Sequence, residues 1–369
     1  MEFLDQTFGG IKKRNLLMGF DNEGIRVVEV TICSLCGEPG QLLYGPLRDR
    51  LFSAPGIWSL LKCGGCGLLW LNPQPVREDI AELYVEEYYT HGEVPSSASS
   101  GPRRVGSRQK AKTAVLAAQY GYPNPRSIRF WRGVGNIVRF LPLLRDMAGA
   151  HVGDLPFVPH GQLLDVGCGS GEYLAGMRDR GWQVRGIEPD PRASCVARER
   201  YGLEVMTSTL EAAALPSASV DAITLSNVIE HAPDPVALLR ECARVLRPGG
   251  KLVAMTPNAE SLGHRRFGVN WLGLEVPRHF FLFSRRTLGA CAQNAGLRIE
   301  SLHSTSRGSG LYYLSSHALR HNLPRVRPGY RPTRRVSFNS WVFRACEEAL
   351  RLVDGKSGED LILIATRSA

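Results

Sequence analysis

At 369 residues the chain exceeds the usual size of one domain, so two folded units, or one large domain with an appendage, are expected. Hydrophobic residues at 43% and charged residues at 22% exclude a disordered chain. No run approaches the roughly 18 uninterrupted apolar residues of a membrane-spanning helix, Met1 to Leu17 lacks a secretory leader pattern, and the expected address is cytoplasmic.

The net charge of +10 favours anionic partners. Much of it sits in two runs. One holds Arg103, Arg104, Arg108, Lys110, Lys112, Arg126, Arg129, Arg132 and Arg139; the other holds Arg320, Arg325, Arg327, Arg331, Arg334 and Arg335. Neither is interleaved with aromatics as in a recognised RNA-binding pattern. A solvated surface and a site for a phosphate-bearing substrate are the two main readings, with nucleic acid or peripheral membrane contact behind both. Nothing in the sequence fixes an oligomeric state.

In chain order, residues 1–30 form an N-terminal segment, and residues 31–95 read as a small metal-held module. Cys33-Ser-Leu-Cys36-Gly and Cys63-Gly-Gly-Cys66-Gly are matching knuckles separated by 26 residues. Four thiolates suit a closed tetrahedral zinc site of zinc-ribbon type, in which Zn2+ is structural because no coordination position stays open. The competing reading is four unliganded buried thiols. Cys168, Cys195, Cys242, Cys291 and Cys346 lack pairing spacing and read as structural.

Residues 96–155 read as a basic linker and a lid-like helix. His91 to Pro102 has linker composition. Over Ser127 to Met147, apolar residues at Ile128, Trp131, Val134, Ile137, Val138, Leu141 and Leu144 recur at helical spacing, with Pro142 near the end. Such a helix either packs over the following domain or lies on a membrane.

Residues 156–369 alternate in the α/β manner. Apolar runs at Gln162 to Val166, Gln183 to Ile187, Leu203 to Met206, Val220 to Leu225 and Lys251 to Met255 predict parallel strands joined by helices, a doubly wound Rossmann-like sheet. Later runs at Leu297 to Leu302 and Asp360 to Ala365 supply an antiparallel pair at one edge, giving seven strands. The first run enters Gly167-Cys-Gly-Ser-Gly171 and then helix-forming residues, a loop in which backbone approaches a ligand closely and a helix N-terminus receives an anionic group. Glu188 closes the second strand, seventeen residues past Gly171, where a carboxylate accepts from ribose hydroxyls.

Leu163-Leu-Asp-Val-Gly-Cys-Gly-Ser-Gly, Gly186-Ile-Glu-Pro-Asp, Val220-Asp-Ala-Ile-Thr-Leu-Ser-Asn-Val-Ile-Glu-His231 and Arg244-Val-Leu-Arg-Pro-Gly-Gly-Lys-Leu252 resemble, in order, the signatures of class I S-adenosylmethionine-dependent methyltransferases. The resemblance implies that Asp165, Gly167, Cys168, Gly169 and Gly171 surround the methionine part of S-adenosyl-L-methionine. It implies that Glu188 with Pro189 binds the ribose, Thr209 and Leu210 meet the adenine, and Ser226 and Asn227 face the sulfonium. Leu68 to Pro75, Ile80 to Tyr84 and Tyr88-Tyr89 are similar to the N-terminal module of bacterial methyltransferases acting on sugars and related metabolites, a possible wall of the acceptor site.

Histidine is the side chain suited to take an acceptor proton. Ser226-Asn-Val-Ile-Glu-His231 resembles the block of ubiquinone-biosynthesis O-methyltransferases, where two acids and the histidine can hold a divalent metal; Asn227 replaces the first acid here. His231 is a catalytic or a loop-supporting residue. Pro277-Arg-His-Phe-Phe-Leu-Phe-Ser284 resembles a block of small-molecule methyltransferases, so its rings line a pocket with His279 as base, or are core. The expected activity is methyl transfer to a small-molecule acceptor: a sugar, a glycan or lipid-linked precursor, or a secondary metabolite. The alternative is a zinc-ribbon RNA base methyltransferase, disfavoured because the fourth-strand block is not of the Asn-Pro-Pro-Tyr type.

Overall fold

The structure, a computed structural model, describes residues 20–84, 107–123, 153–324 and 330–368. The linker at His91 to Pro102 and the helix expected over Ser127 to Met147 lie outside the described residues. The chain forms two compact units, one of Met1–Glu86, Asn227–Arg240 and Met255–Leu363, the other of Glu87–Ser226, Glu241–Ala254 and Ile364–Ala369.

The first unit begins with β1 (Phe20–Asn22) and β2 (Ile25–Val28), an antiparallel pair turned through Glu23-Gly24. Then come β3 (Gly40–Leu47), β4 (Trp58–Cys63), β5 (Leu69–Asn72) and β6 (Gln74–Pro75). β6 completes a three-stranded sheet in the order β1-β2-β6. β3, β4 and β5 pair antiparallel, with Leu60 opposite Leu71 and Leu61 opposite Trp70. Trp58, Leu60, Trp70 and Leu71 are buried, each contributing about 1.5–3 kcal/mol over an exposed position. Trp70 keeps its polar edge satisfied, donating from Nε1 to the Val30 carbonyl at 2.7 Å.

In the second unit β7 (Gln162–Val166) lies parallel to β8 (Gln183–Ile187) and to β10 (Val220–Ser226), while β8 lies parallel to β9 (Val205–Met206). Near-continuous apolar runs are what parallel strands covered on both faces require. β11 (Leu246–Pro257) begins five residues before the predicted run, passing through Arg247-Pro-Gly-Gly with Gly249 at φ 76°. Helix α1 (Ser107–Tyr120) precedes these strands. α2 (Glu172–Arg178) and α3 (Pro191–Tyr201) follow β7 and β8. Asp190 caps α3 by accepting from the Arg192 amide at 2.9 Å, with Pro191 in the first turn.

After α4 (Pro235–Val245) come α5 (Leu262–Phe267), the short β12 (Phe281–Leu282), α6 (Arg285–Asn294), β13 (Leu297–Thr305), α7 (Ser309–Arg320), α8 (Arg334–Asp354) and β14 (Asp360–Arg367). A mixed seven-stranded sheet runs in the order β13-β14-β11-β10-β7-β8-β9, with the two late runs as neighbours at one end. β12 pairs with β5, Phe281 opposite Trp70. Phe280, Phe281 and Phe283 are buried, so these rings are core. Among the described residues no helix is long and apolar enough to cross a membrane.

Candidate active site

In the second unit the chain leaves β7 through Gly167, Gly169 and Gly171 at φ 71°, 52° and 82°, conformations that side chains resist. At Gly171 a Cβ would also lie 2.6 Å from Leu203 Cδ1 and 2.9 Å from Ala197 Cβ. Glu188, buried at the end of β8, accepts from the Gly169 amide at 2.8 Å and from the Asp190 amide at 2.9 Å. The acidic residue and the glycine loop are thus one hydrogen-bonded assembly. Asp165 is buried and accepts from Thr224 Oγ1 at 2.6 Å; desolvation pushes its carboxyl up to about 7 against that hydrogen bond. Cys168 and Leu210 are buried, whereas Pro189, Thr209 and Ser226 are exposed.

In the first unit Asn227 is exposed at φ 53°. The sulfurs of Cys33, Cys36, Cys63 and Cys66 lie within 4.8 Å of one another. Cys33 and Cys66 are 3.4 Å apart and Cys36 and Cys63 3.3 Å. The knuckles repeat one turn, with Gly37 donating to the Cys33 carbonyl at 3.0 Å and Gly67 to that of Cys63 at 3.1 Å. A tetrahedron with metal–sulfur bonds of about 2.3 Å has edges of about 3.8 Å, so the donor set and its spacing fit zinc. Burial opposes ionisation of Cys63, but the Cys66 amide and the Cys36 thiol donate toward it and its pKa falls to about 6.

The same unit joins the two predicted histidines. The Ile229–His231 3-10 turn and the Glu275 to Phe280 segment are tied backbone to backbone, Phe280 donating to the Glu230 carbonyl at 2.8 Å. The imidazoles of His231 and His279 meet edge-on, centroids 4.7 Å apart. His231 Nδ1 lies 3.0 Å from the Arg278 carbonyl and His279 Nδ1 lies 2.8 Å from that of Gly273. A carbonyl only accepts, so each Nδ1 carries the proton and each Nε2 keeps its lone pair. Desolvation lowers His231 to about 3, the adjacent His279 adding to the effect, and lowers His279 to about 4. Both are neutral bases at neutral pH.

Of their surroundings only Glu230 was implied from sequence, as the remaining acid of the block that resembles a metal-holding one. The Tyr84 hydroxyl stands 3.2 Å from His231 Nδ1. Glu230 is buried with neither carboxylate oxygen hydrogen-bonded among the described residues, and burial pushes its pKa up to about 8. One ligand atom each from Glu230, His231 and His279 falls within 4.8 Å of the others. The Arg278 guanidinium, fully buried, pairs with Asp49 at 2.8 Å, donates to the Leu83 carbonyl at 3.0 Å and lies over the Phe52 ring. Asp49 also accepts from the amides of Leu51, Phe52 and Ala54.

Residues 137–302 match the family model of a methyltransferase domain. The chain is 35% identical over 181 residues to the ubiquinone biosynthesis O-methyltransferase of Xanthomonas oryzae pv. oryzae (strain PXO99A), covering 46% of this chain and 68% of that protein. The chain belongs to the S-adenosylmethionine-dependent methyltransferases. The methyltransferase is also 32% identical over 173 residues to the ubiquinone biosynthesis O-methyltransferase of Azoarcus sp. (strain BH72), covering 44% of this chain and 72% of that one. A methyltransferase solved with the Haloferax volcanii Trm112 methyltransferase activator is 16% identical, with a TM-score of 0.44 over 64% of this chain and 95% of that one.

A sequence signal existed for part of what was missed in this methyltransferase. Arg278 adjoins His279, and a buried arginine demands a buried acid. Asp49 stands 229 residues away between two exposed arginines, and only the fold brings it there.

Proposed function

We propose that this enzyme methylates an oxygen, nitrogen or carbon of a small-molecule acceptor, a sugar, a glycan or lipid-linked precursor, or a secondary metabolite, with a phosphate-bearing acceptor included. The observation that carries the reading is the pair of the half-buried His231 and the buried His279, each held by its Nδ1 proton with Nε2 left basic. The names of the similar ubiquinone-biosynthesis enzymes agree with a small-molecule acceptor.

When bound, S-adenosylmethionine supplies a methyl group already activated on a sulfonium, so the protein chiefly binds, orients and removes a proton. Asp165, Gly167, Cys168, Gly169 and Gly171 hold the methionine part, Glu188 and Pro189 the ribose, Thr209 and Leu210 the adenine, and Ser226 and Asn227 the sulfonium end. His279 or His231 accepts the acceptor's proton at Nε2. Zinc on Cys33, Cys36, Cys63 and Cys66 holds the module of residues 31–95, between the segment 1–30 and the linker and helix of 96–155 that lead to the catalytic domain 156–369. A divalent metal on Glu230, His231 and His279 is a second reading, favoured by their clustered ligand atoms.

Incubating the zinc-loaded enzyme with methyl-labelled S-adenosylmethionine and fractionated metabolite extracts tests this. Label is expected in a small-molecule fraction, unaffected by chelation if the histidines act as bases. Label confined to RNA contradicts the reading, and loss of transfer on chelation with zinc retained selects the metal.

A further inference from the structure

Helix α8 presents the wrong face to water. Its inward face carries Phe343 but also Glu347, a fully buried carboxyl that accepts a hydrogen bond from Ser309. Its outward face is apolar over most of its length: Phe338, Trp341, Val342, Ala345, Leu352 and Val353 fall within one stripe at helical spacing. Exposure is high where burial is usual, at 63% for Phe338, 66% for Trp341, 71% for Leu352 and 88% for Val353. Twenty-one residues make this stripe about 30 Å long. A patch of that kind marks an interaction surface.

Charge decides the occupant. Arg334 and Arg335 lie at the N-terminal end of the same stripe, with Arg331 just before them, all exposed. From Ser301 to Cys346 the sequence holds eight arginines and neither aspartate nor glutamate. The acids at the far end are already engaged, Glu348 by Arg351 at 2.7 Å and Asp354 by Ser357. A second copy would bring no acid of this stretch to meet the arginines. Nucleic acid would meet the arginines but gain nothing from Val342, Leu352 and Val353. An anionic bilayer surface takes both, with apolar and aromatic side chains entering the headgroup boundary and arginines meeting lipid phosphates.

We infer that the outward face of α8 is a peripheral docking surface for anionic lipid bilayers, placing this methyltransferase against a membrane it does not cross. The test is flotation of the full-length zinc-loaded protein with vesicles of phosphatidylcholine alone and with phosphatidylglycerol added at about 3:1. Binding only to the anionic vesicles, weakened by salt, is expected. Each surface arginine is worth about fivefold, so Arg331→Gln/Arg334→Gln/Arg335→Gln should lose on the order of 100-fold. Phe338→Ser/Trp341→Ser should lose about tenfold or more. These positions are exposed, and unchanged circular dichroism and S-adenosylmethionine binding show that the variants fold. A Trp341-specific blue shift, absent in Trp341→Ala, reports insertion. Equal affinity of the Phe338→Ser/Trp341→Ser variant overturns the inference. So does a dimer in sedimentation that this variant abolishes without vesicle binding, or binding of RNA in place of vesicles.

Discussion

His231 and His279 stand 4.7 Å apart, edge against face, each with its Nδ1 proton fixed on a backbone carbonyl. Two fixed tautomers leave each ring one basic nitrogen, in surroundings that keep both rings uncharged. If one takes the acceptor proton, His279→Ala or His231→Ala should lower turnover by about 100-fold or more while leaving S-adenosylmethionine binding unchanged. Single-turnover kinetics alongside calorimetry separates the effects. Near-wild-type turnover in both variants contradicts a base in this pair.

The same burial predicts a pH response of stability in metal-free protein. Both histidines stay neutral in the fold but take up protons in the unfolded chain below about pH 6.5, so the unfolded state binds more protons there. Above that pH they contribute no slope. Stability should fall as the pH drops from about 6.5 toward 4, by about 1.4 kcal/mol per pH unit for each histidine. Glu230 acts in the opposite sense: protonated in the fold up to about 8 and ionised in the unfolded chain above about 4.5, it erodes stability as the pH rises between those values. Urea melts should show a shallower acid slope in His231→Gln/His279→Gln and a more stable Glu230→Gln at pH 8.

The Arg278–Asp49 pair, both side chains fully buried, links the histidine segment to the β3–β4 connection within the first unit. Asp49→Asn leaves the buried Arg278 with Glu275, 3.3 Å from its Nε, as its remaining acidic partner among the described residues, and should cost up to about 3–5 kcal/mol. Because the Arg278 carbonyl holds His231, the variant should also lose turnover at temperatures where it remains folded. A thermal melt and a rate measured well below its midpoint separate the two.

The cysteine cluster predicts one zinc per chain. Cys63→Ser should lose the metal by elemental analysis together with protection of β3 to β5 in hydrogen exchange, since a structural site contributes folding energy. Zinc-free protein with unaltered protection there would show that the thiols fold the module unaided.

Periodicity made the sheet legible: the runs from Gln162 to Met255 became β7 to β11, and Leu297 and Asp360 each began the strand expected of them. The glycine loop and Glu188 were legible as neighbours because they close two successive strands, and Glu188 accepts from the Gly169 amide. The histidine pair was visible as two separate residues, but nothing in the spacing of His231 and His279, forty-eight positions apart, says that their rings touch. Arg278, Asp49 and Tyr84 were not legible as a group, because a buried ion pair and a hydroxyl on an imidazole depend on side chains converging from three segments. The rings of Phe280, Phe281 and Phe283 read as core more readily than as pocket, although composition alone does not tell which way a ring faces; all three are buried, and Phe281 lies opposite Trp70.

Calorimetric titration of S-adenosylmethionine into the zinc-loaded protein tests the central claim most directly. One site per chain is expected, abolished by Gly169→Arg and weakened tenfold or more by Glu188→Ala, which also frees the Gly169 and Asp190 amides that Glu188 holds. No heat from the wild type, or binding unchanged in Gly169→Arg, would contradict it.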